Sequence, residues 1–379
     1  MRHTKLDTES IAQALRELSA AQPGAGLLAL LPEGEIDKLP QLQSACRANG
    51  VALAGGIFPA LIDGAAFITE GAWLLPFASM PPCFLIEDVN AGKPSGVDKI
   101  VGAVQDGLRH CSADGQKPTL FLIFDGLVSN IASLLDGAYL ALANRVEYAG
   151  VNAGSETFQP MPCLFDAQRL IGNGVLGLLL PGDAATVLEH GFVQPERAMA
   201  ASSTEGNRIA SIDWRPAFEV YQEVIKAEYG IDLTAANFYE HGVHFPFGIL
   251  RANGEVIVRV PVAMADDGSL FCIGEVPENA MLVLLKSPAA GANTCLERLA
   301  ARLDFGAAGP TRKLLVFYCA GRRMHLGRDA ETELARLRDE AGVSGMAGAL
   351  SLGEIGSTTR GGYPMFHNAT LVCRPWLTS

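Results

Sequence analysis

One pattern recurs three times in this chain: an apolar strand, then a helix, then a second strand built around Ala-Gly. The first copy reads GLLALLPEG, a helix near 36–48, then VALAGGIFPALI. The second reads TLFLIFDGL, a helix near 130–143, then VEYAGVNAGSE, and the third reads KLLVFYCAGR, a helix near 328–340, then SGMAGALSLGE. Internal repetition of a strand–helix–strand unit predicts an α/β layered protein with mixed sheets. Two copies lie before residue 160 and one after residue 310. Between them, 197–212 and 251–285 read mostly as strands and hairpins, with Asn253-Gly254 and Asp267-Gly268 as turn dipeptides. Single cores stop growing near about 250–300 residues, so 379 residues favour two domains. We expect an N-terminal helix over 1–25, then two mixed-sheet α/β domains over 26–212 and 213–379, divided close to Asp213.

Helical spacing supports the same layering. Val97, Ile100, Val101, Val104 and Leu108 share one face, as do Ile131, Leu134, Leu135, Ala138 and Leu142. A third helix carries Phe218, Val220, Tyr221, Val224 and Ile225, with Pro216 suited to its first turn and Gly230 to its stop.

Charge and composition exclude several classes of function. Lys and Arg number 29 against 41 Asp and Glu, a net charge of −12, so the long-range field repels polyanions and argues against nucleic-acid binding. Hydrophobic residues make up 49% and charged ones only 18%, which rules out disorder as the general state. The longest apolar runs, such as Val175–Leu180, are far shorter than the roughly 18–20 residues of a membrane-spanning helix. The start, MRHTKLDTES, lacks the apolar region of a secretory signal, so a cytoplasmic location is expected. Eight scattered cysteines with no CxxC predict neither a zinc site nor a disulfide framework.

Chemistry concentrates where first strands end and the following helices begin. Those loops carry Glu33-Gly34, Asp125-Gly126 and Cys319-Ala320-Gly321-Arg322, and only the last offers a nucleophile beside cations. A thiol at a helix N-terminus near guanidinium groups is expected to have its thiolate favoured; packing as a small buried hydrophobe is the alternative. Glu354 is flanked by Gly353 and Gly356, which lets backbone approach a ligand or simply permits a tight turn. Arg259 interrupts the apolar run VIVRV, so it needs an anionic partner, either Glu354 or a ligand carboxylate, unless it lies on an exposed sheet face. His367-Asn368 opens the last strand.

Two other motifs read as structural. Gly172-Asn173-Gly174-Val175-Leu176-Gly177 matches the dinucleotide fingerprint, but LLLPGD follows it instead of a helix, so we read a β-hairpin turn. His241 and His244 could share a helix face toward a metal, but Gly242 and Pro246 point to a loop. No metal or cofactor is expected.

DWRPAFEVYQEVI, VIVRV, LLVFYCAGR, LSLGEIGS and FHNATLV together resemble the C-terminal half of the FIST domain, an intracellular sensory module of signalling proteins. GVALAGGIFPALI, TLFLIFDGL, VEYAGVNAG and EGNRIASID resemble its N-terminal half, so the likeness runs from about Gly26 to the end. One departure lies at the first Ala-Gly strand, where Phe58 and Pro59 stand in place of a Cys/Ser-rich segment. The resemblance implies a sensor that binds an amino acid or related metabolite and does no chemistry on it. It points to Arg215, Pro216, Arg259, Cys319, Arg322, Gly353, Glu354, His367 and Asn368. On this reading Arg259 and Arg322 hold a carboxylate, Glu354 an amine and Asn368 a polar tail. We expect no kinase, receptor or cyclase segment within these residues, so output is expected to pass to a separate signalling protein. The alternatives are a thiol-dependent enzyme, with Cys319 as nucleophile and His325 or His367 as base, and a pure interaction scaffold.

Overall fold

The computed structural model describes residues 1–22, 24–111, 117–182, 184–286, 294–306, 312–359 and 361–376. Each repeated unit is longer than its sequence signature. The first comprises β1 (Arg2–Thr4), α1 (Thr8–Ala21), β2 (Gly26–Pro32), α2 (Leu39–Ala48), β3 (Ala52–Phe58), β4 (Leu61–Asp63), β5 (Ala66–Ile68) and β6 (Ala72–Phe77). The second follows the same order: β7 (Cys83–Ile86), α3 (Gly96–Leu108), β8 (Thr119–Asp125), α4 (Ile131–Leu142), β9 (Glu147–Ala153), β10 (Leu164–Asp166), β11 (Leu170–Ile171) and β12 (Val175–Leu180).

The third unit opens with β13 (Val187–Glu189) and is then interrupted by an insertion. That insertion holds β14 (Ala198–Ala200), β15 (Ser203–Glu205), β16 (Arg208–Ile212), β17 (Arg215–Pro216), α5 (Ala217–Tyr229) and α6 (Phe238–Gly242). It continues through β18 (Phe247–Leu250), β19 (Val256–Arg259), β20 (Pro261–Met264), β21 (Leu270–Cys272) and β22 (Met281–Leu284). The unit resumes with α7 (Cys295–Arg302), β23 (Lys313–Cys319), α8 (Ala320–Leu326), α9 (Asp329–Ala341), β24 (Gly345–Ser351), β25 (Glu354–Gly356), β26 (Met365–His367) and β27 (Leu371–Pro375).

In every unit the two central strands run parallel: β2 with β3, β8 with β9, β23 with β24. An antiparallel β6, β12 or β27 flanks the first of them. The hairpin after the second leaves its own unit. β4–β5 adds to β24, β10–β11 adds to β3, and β25–β26 adds to β9. The three six-stranded mixed sheets are therefore interlocked by cyclic strand exchange, and strands from both sides of Asp213 share sheets.

The Ala-Gly signature has a steric cause. An added Cβ would lie 2.2 Å from the Ala29 carbonyl oxygen at Gly55, 2.2 Å from that of Leu122 at Gly150, and 1.6 Å from that of Val316 at Gly348. Only glycine lets the paired strand approach so closely. The inner sheet faces meet in one apolar core, where Phe317 of β23 contacts Phe58 of β3 and Phe121 of β8 at centroid distances of 5.8 and 5.7 Å. Full burial of each such ring contributes about 1.5–3 kcal/mol. Helices α3 and α4 cover the second sheet, and α7 and α9 the third.

The insertion builds its own core from Val220, Tyr221, Val224 and Ile225 of α5 against Phe247, Leu270 and Leu282. As the sequence predicts, α5 follows Pro216 and stops at Gly230, whose φ of 70° is left-handed. Gly254 (φ 85°) and Gly268 (φ 77°) make the two predicted turns.

Three local expectations need correction. The first unit's helix begins as a 3-10 turn over Glu33–Lys38 before α2. The glycine motif at Gly172 is not a hairpin turn, because β11 pairs with β10 while β12 pairs with β7 and β8, so the turn passes from one sheet to another. His241 lies on the short α6, and His244 just beyond it hydrogen-bonds His325, Nδ1 to Nδ1, at 2.7 Å. No helix among the described residues is long and apolar enough to cross a membrane.

Candidate functional site

Strand register makes the three units comparable position by position. Leu61, Leu164 and Glu354 pair with equivalent residues of the second central strand, namely Ala349, Gly56 and Val151. Across the exchanged hairpins they face Ile68, Ile171 and His367. At the ends of the parallel pairs, Pro32 faces Phe58, Asp125 faces Ala153 and Cys319 faces Ser351. One residue earlier on the second central strands stand Ile57, Asn152 and Leu350. Where two units use leucine or isoleucine, the molecule places a carboxyl, an imidazole and an amide in its interior. Burying such groups costs free energy, so the fold alone does not account for them.

Glu354 is fully buried. The Ser351 hydroxyl donates to its Oε1 at 2.5 Å, and Thr370 donates to Oε2 through its hydroxyl at 2.6 Å and its backbone N–H at 3.3 Å. Burial pushes the carboxyl up to about 7, against the pull of hydrogen bonds from Ser351, Thr370 and Cys319. Cys319 caps α8, and its Sγ accepts from the Ala369 N–H at 3.0 Å. The expectation of a favoured thiolate is overturned: burial, and then the Glu354 charge, push this thiol well above its ordinary range. Neither His325 nor His367 hydrogen-bonds it among the described residues. His367 is held neutral, pulled far down by burial and then by His190 and Arg259. Among the described residues, neither ring nitrogen of His367 and neither amide atom of the buried Asn152 has a hydrogen-bond partner.

Arg322, expected to meet a ligand, is spent inside the protein. It makes a forked pair with Glu333 (Nε at 2.7 Å, Nη2 at 2.6 Å) and donates from Nη1 to the carbonyls of His190 (2.6 Å) and Ala369 (3.3 Å). Burial lowers its pKa, but the Glu333 charge outweighs this and holds Arg322 firmly as a cation.

Arg259 does not meet Glu354. Its Nε donates to the Glu275 carbonyl at 2.9 Å, and its Nη1 to the carbonyls of Val258 (3.2 Å) and Phe366 (2.6 Å). The guanidinium also lies 5.3 Å from the Phe366 ring centroid. At 2% exposure it forms no ion pair with any described carboxylate, although the Glu275 charge favours its cation through space, and its Nη2 donates to no described group. Burial pulls its pKa down to about 10, so it remains charged at neutral pH.

Arg259 lines a cavity of about 960 Å³, part of it open to solvent, between α4, the insertion and the segment 363–366. Asp136, Glu275, Glu278 and a second arginine, Arg251, line the same space, with Ile249, Ile257 and Phe366 as apolar wall. Two contacts tie the insertion and the 363–366 segment to α4: the Glu275 carboxylate accepts from the N–H (3.0 Å) and hydroxyl of Ser133, and the Tyr363 hydroxyl donates to Asp136 at 2.8 Å.

Cys319 and Asn368 instead line a second, mostly apolar cleft between α6, α8 and the loop after β9. Asn368 Oδ1 accepts from the Val260 N–H at 3.3 Å, and its Nδ2 donates to the His367 carbonyl. The sequence-predicted residues thus fall into three groups. Arg259 faces the large cavity, Cys319 and Asn368 lie under the cleft with almost no accessible surface of their own, and Gly353, Glu354, His367 and Arg322 are buried too. Arg215, on the surface, pairs with Glu223 at 2.7 Å. Asp136, Ser133 and Glu275 went unnoticed in the sequence, because nothing local distinguishes them from solvated helix and turn residues.

The FIST N domain model matches residues 7–215 and the FIST C domain model residues 217–357. No curated protein matches the chain. With the two domain matches covering most of its length, the chain belongs to the FIST family of signal-transduction sensory domains.

Proposed function

We propose that this protein is a cytoplasmic sensor that binds an amino acid or closely related metabolite in the Arg259 cavity without transforming it, and passes the signal to a separate signalling protein such as a kinase or receptor. The carrying observation is a buried guanidinium with no carboxylate partner, one free Nη2 and a large space in front of it. The Glu275 charge acts on it only through space, with no ion pair among the described residues, and a ligand carboxylate would supply both a direct charge partner and hydrogen bonds. The acidic groups in the same cavity suit an ammonium, and the apolar wall suits a side chain. With Asp136, Glu275 and Glu278 set against Arg251 and Arg259, the lining suits a zwitterion better than a plain dianion. Because α4, the insertion and the 363–366 segment all contribute, a bound molecule would bridge parts of the protein whose relative position could report occupancy.

Thermal-shift screening with the free amino acids and their deaminated analogues tests this reading. A ligand at about 100 times its Kd adds about 2.7 kcal/mol of stability, so a specific amino acid should raise the melting temperature and its deaminated analogue should not. A flat response across the panel from folded protein would remove the reading.

A further inference from the structure

One face of the β18–β19 hairpin lines the Arg259 cavity. The strands pair antiparallel with Ile249 opposite Ile257 and Phe247 opposite Arg259, and the Arg251 N–H continues the ladder to the Glu255 carbonyl at 2.9 Å. Side chains alternate across a strand, so Arg251, Ile249, Ile257 and Arg259 stand on the same face, and all four line the cavity. Arg251 lies opposite Glu255, four residues before Arg259. At roughly 3.3 Å per residue, the two arginine backbones are about 13 Å apart along the strand direction. The cavity wall thus carries a guanidinium at each end of a strip of isoleucine.

Arg251, like Arg259, has no carboxylate partner among the described residues. It is exposed, donates to no described group and lies over the Tyr363 ring, 5.9 Å from the centroid. Its cross-strand neighbour Glu255 turns its carboxylate instead to Asn253, Ser357 and Thr358. The Asp136 carboxylate takes the Tyr363 hydroxyl at 2.8 Å. At the other end, Glu275 gives its carbonyl to Arg259 Nε and its carboxylate to Ser133, and Glu278 is exposed nearby in the chain. Cationic and anionic groups therefore lie side by side near Arg259, while the Arg251 guanidinium is open to a new partner.

Charge matching narrows the ligand. An amino acid with an uncharged side chain would place its carboxylate on Arg259 and its ammonium toward Glu275 and Glu278, and would leave Arg251 unused. A dicarboxylate without an ammonium would reach both arginines but would bring a second negative charge against the acidic groups with nothing to offset it. We infer that the cavity selects an α-amino acid whose side chain ends in a second carboxylate. The α-carboxylate meets Arg259, the ammonium faces Glu275 and Glu278, the methylenes cover Ile249 and Ile257, and the terminal carboxylate meets Arg251. This rests on the amino-acid reading of the cavity and adds to it the identity of the side chain. Because Arg251 is exposed, it acts as a specificity determinant worth roughly three- to fivefold in affinity, and the preference weakens with salt.

Two pairs of probes differ only in the charge of the side-chain end: L-glutamate with L-glutamine, and L-2-aminoadipate with its 6-amide. Glutarate is the dianion lacking an ammonium. Binding is read by calorimetry on the full chain at pH 7.5 and low salt. In at least one pair the acid should bind about threefold or more tightly than its amide, and more tightly than glutarate, with the preference reduced at high salt. Arg251→Gln should bring the acid to the affinity of the amide and leave the amide where it was, whereas Arg259→Met should weaken both. Acid and amide binding equally, a preference that survives in R251Q, or binding of L-norleucine but of neither acid would overturn this inference while leaving the amino-acid reading in place. Failure of every amino acid to bind the folded protein would remove both.

Discussion

Replacing Glu354 by Gln should remove a specific pH dependence from the stability of this protein. In the folded state the carboxyl is fully buried and titrates at about 7, against an ordinary 4.5. Burial is the main cause, and donors from Ser351, Thr370 and Cys319 only partly offset it. A folded pKa above the unfolded one means that the native state holds the proton more tightly. The stability from this group is full below about pH 4.5 and is lost as pH rises through about 7. At 1.36 kcal/mol for each tenfold difference, the loss across that window amounts to about 3 kcal/mol. Guanidinium denaturation of wild type and E354Q at intervals from pH 4.5 to 8 isolates it, because the other titrating groups are common to both. The difference in stability between the two proteins should shift toward the variant by about 3 kcal/mol from the acid to the alkaline end. Parallel profiles would refute the argument that Glu354 sits in a site without a compensating cation. The same series with E354L asks whether leucine, which two units carry at this position, is tolerated by the third.

Gly348→Ala should cost on the order of 3 kcal/mol or more by denaturant midpoint, since its Cβ would meet the Val316 carbonyl at 1.6 Å, whereas Gly345→Ala in the same strand, with nothing within 4 Å, should change stability by less than about 1 kcal/mol. Glu333→Gln leaves Arg322 as a buried charge without its carboxylate, and an expected cost of about 3–5 kcal/mol should be much reduced in the R322M/E333M double variant; equal losses would show that the pair itself carries no special weight. His325 titrates at about 4, lowered by burial and then by His244 and Arg322, so its contribution is present above about pH 6.5 and is lost as pH falls toward 4. His325→Gln should therefore flatten the acid limb of the melting curve, and an unchanged limb would contradict the reading of the His244–His325 contact.

Much of the architecture was legible because the strands are apolar runs of about seven residues and the helices carry clean three-and-four spacing, so repetition alone predicted the strand–helix–strand units and their mixed sheets. The strand exchange was not legible. β4, β10 and β25 are only three residues each, and nothing in so short a segment specifies which sheet it joins. The special character of Glu354 was half visible. Aligning Gly55 with Gly348 already sets Leu61 against Glu354, six residues on, but in the second unit a longer connection moves Leu164 away from that offset. The two arginines illustrate the other limit. The demand of Arg259 for acceptors could be read from its apolar run, but the acceptors of the two arginines include the carbonyls of Phe366 and His190, 107 and 132 residues away. No local signal announces a partner at that distance.

The account rests on Arg259 being a cation kept in the interior for a ligand. Calorimetric titration of an amino acid selected by the thermal screen into wild-type protein and into R259M tests this most directly. One site per chain in wild type, lost in an R259M variant that keeps the wild-type circular-dichroism spectrum and cooperative unfolding, is the predicted result. Undiminished binding to R259M would contradict it.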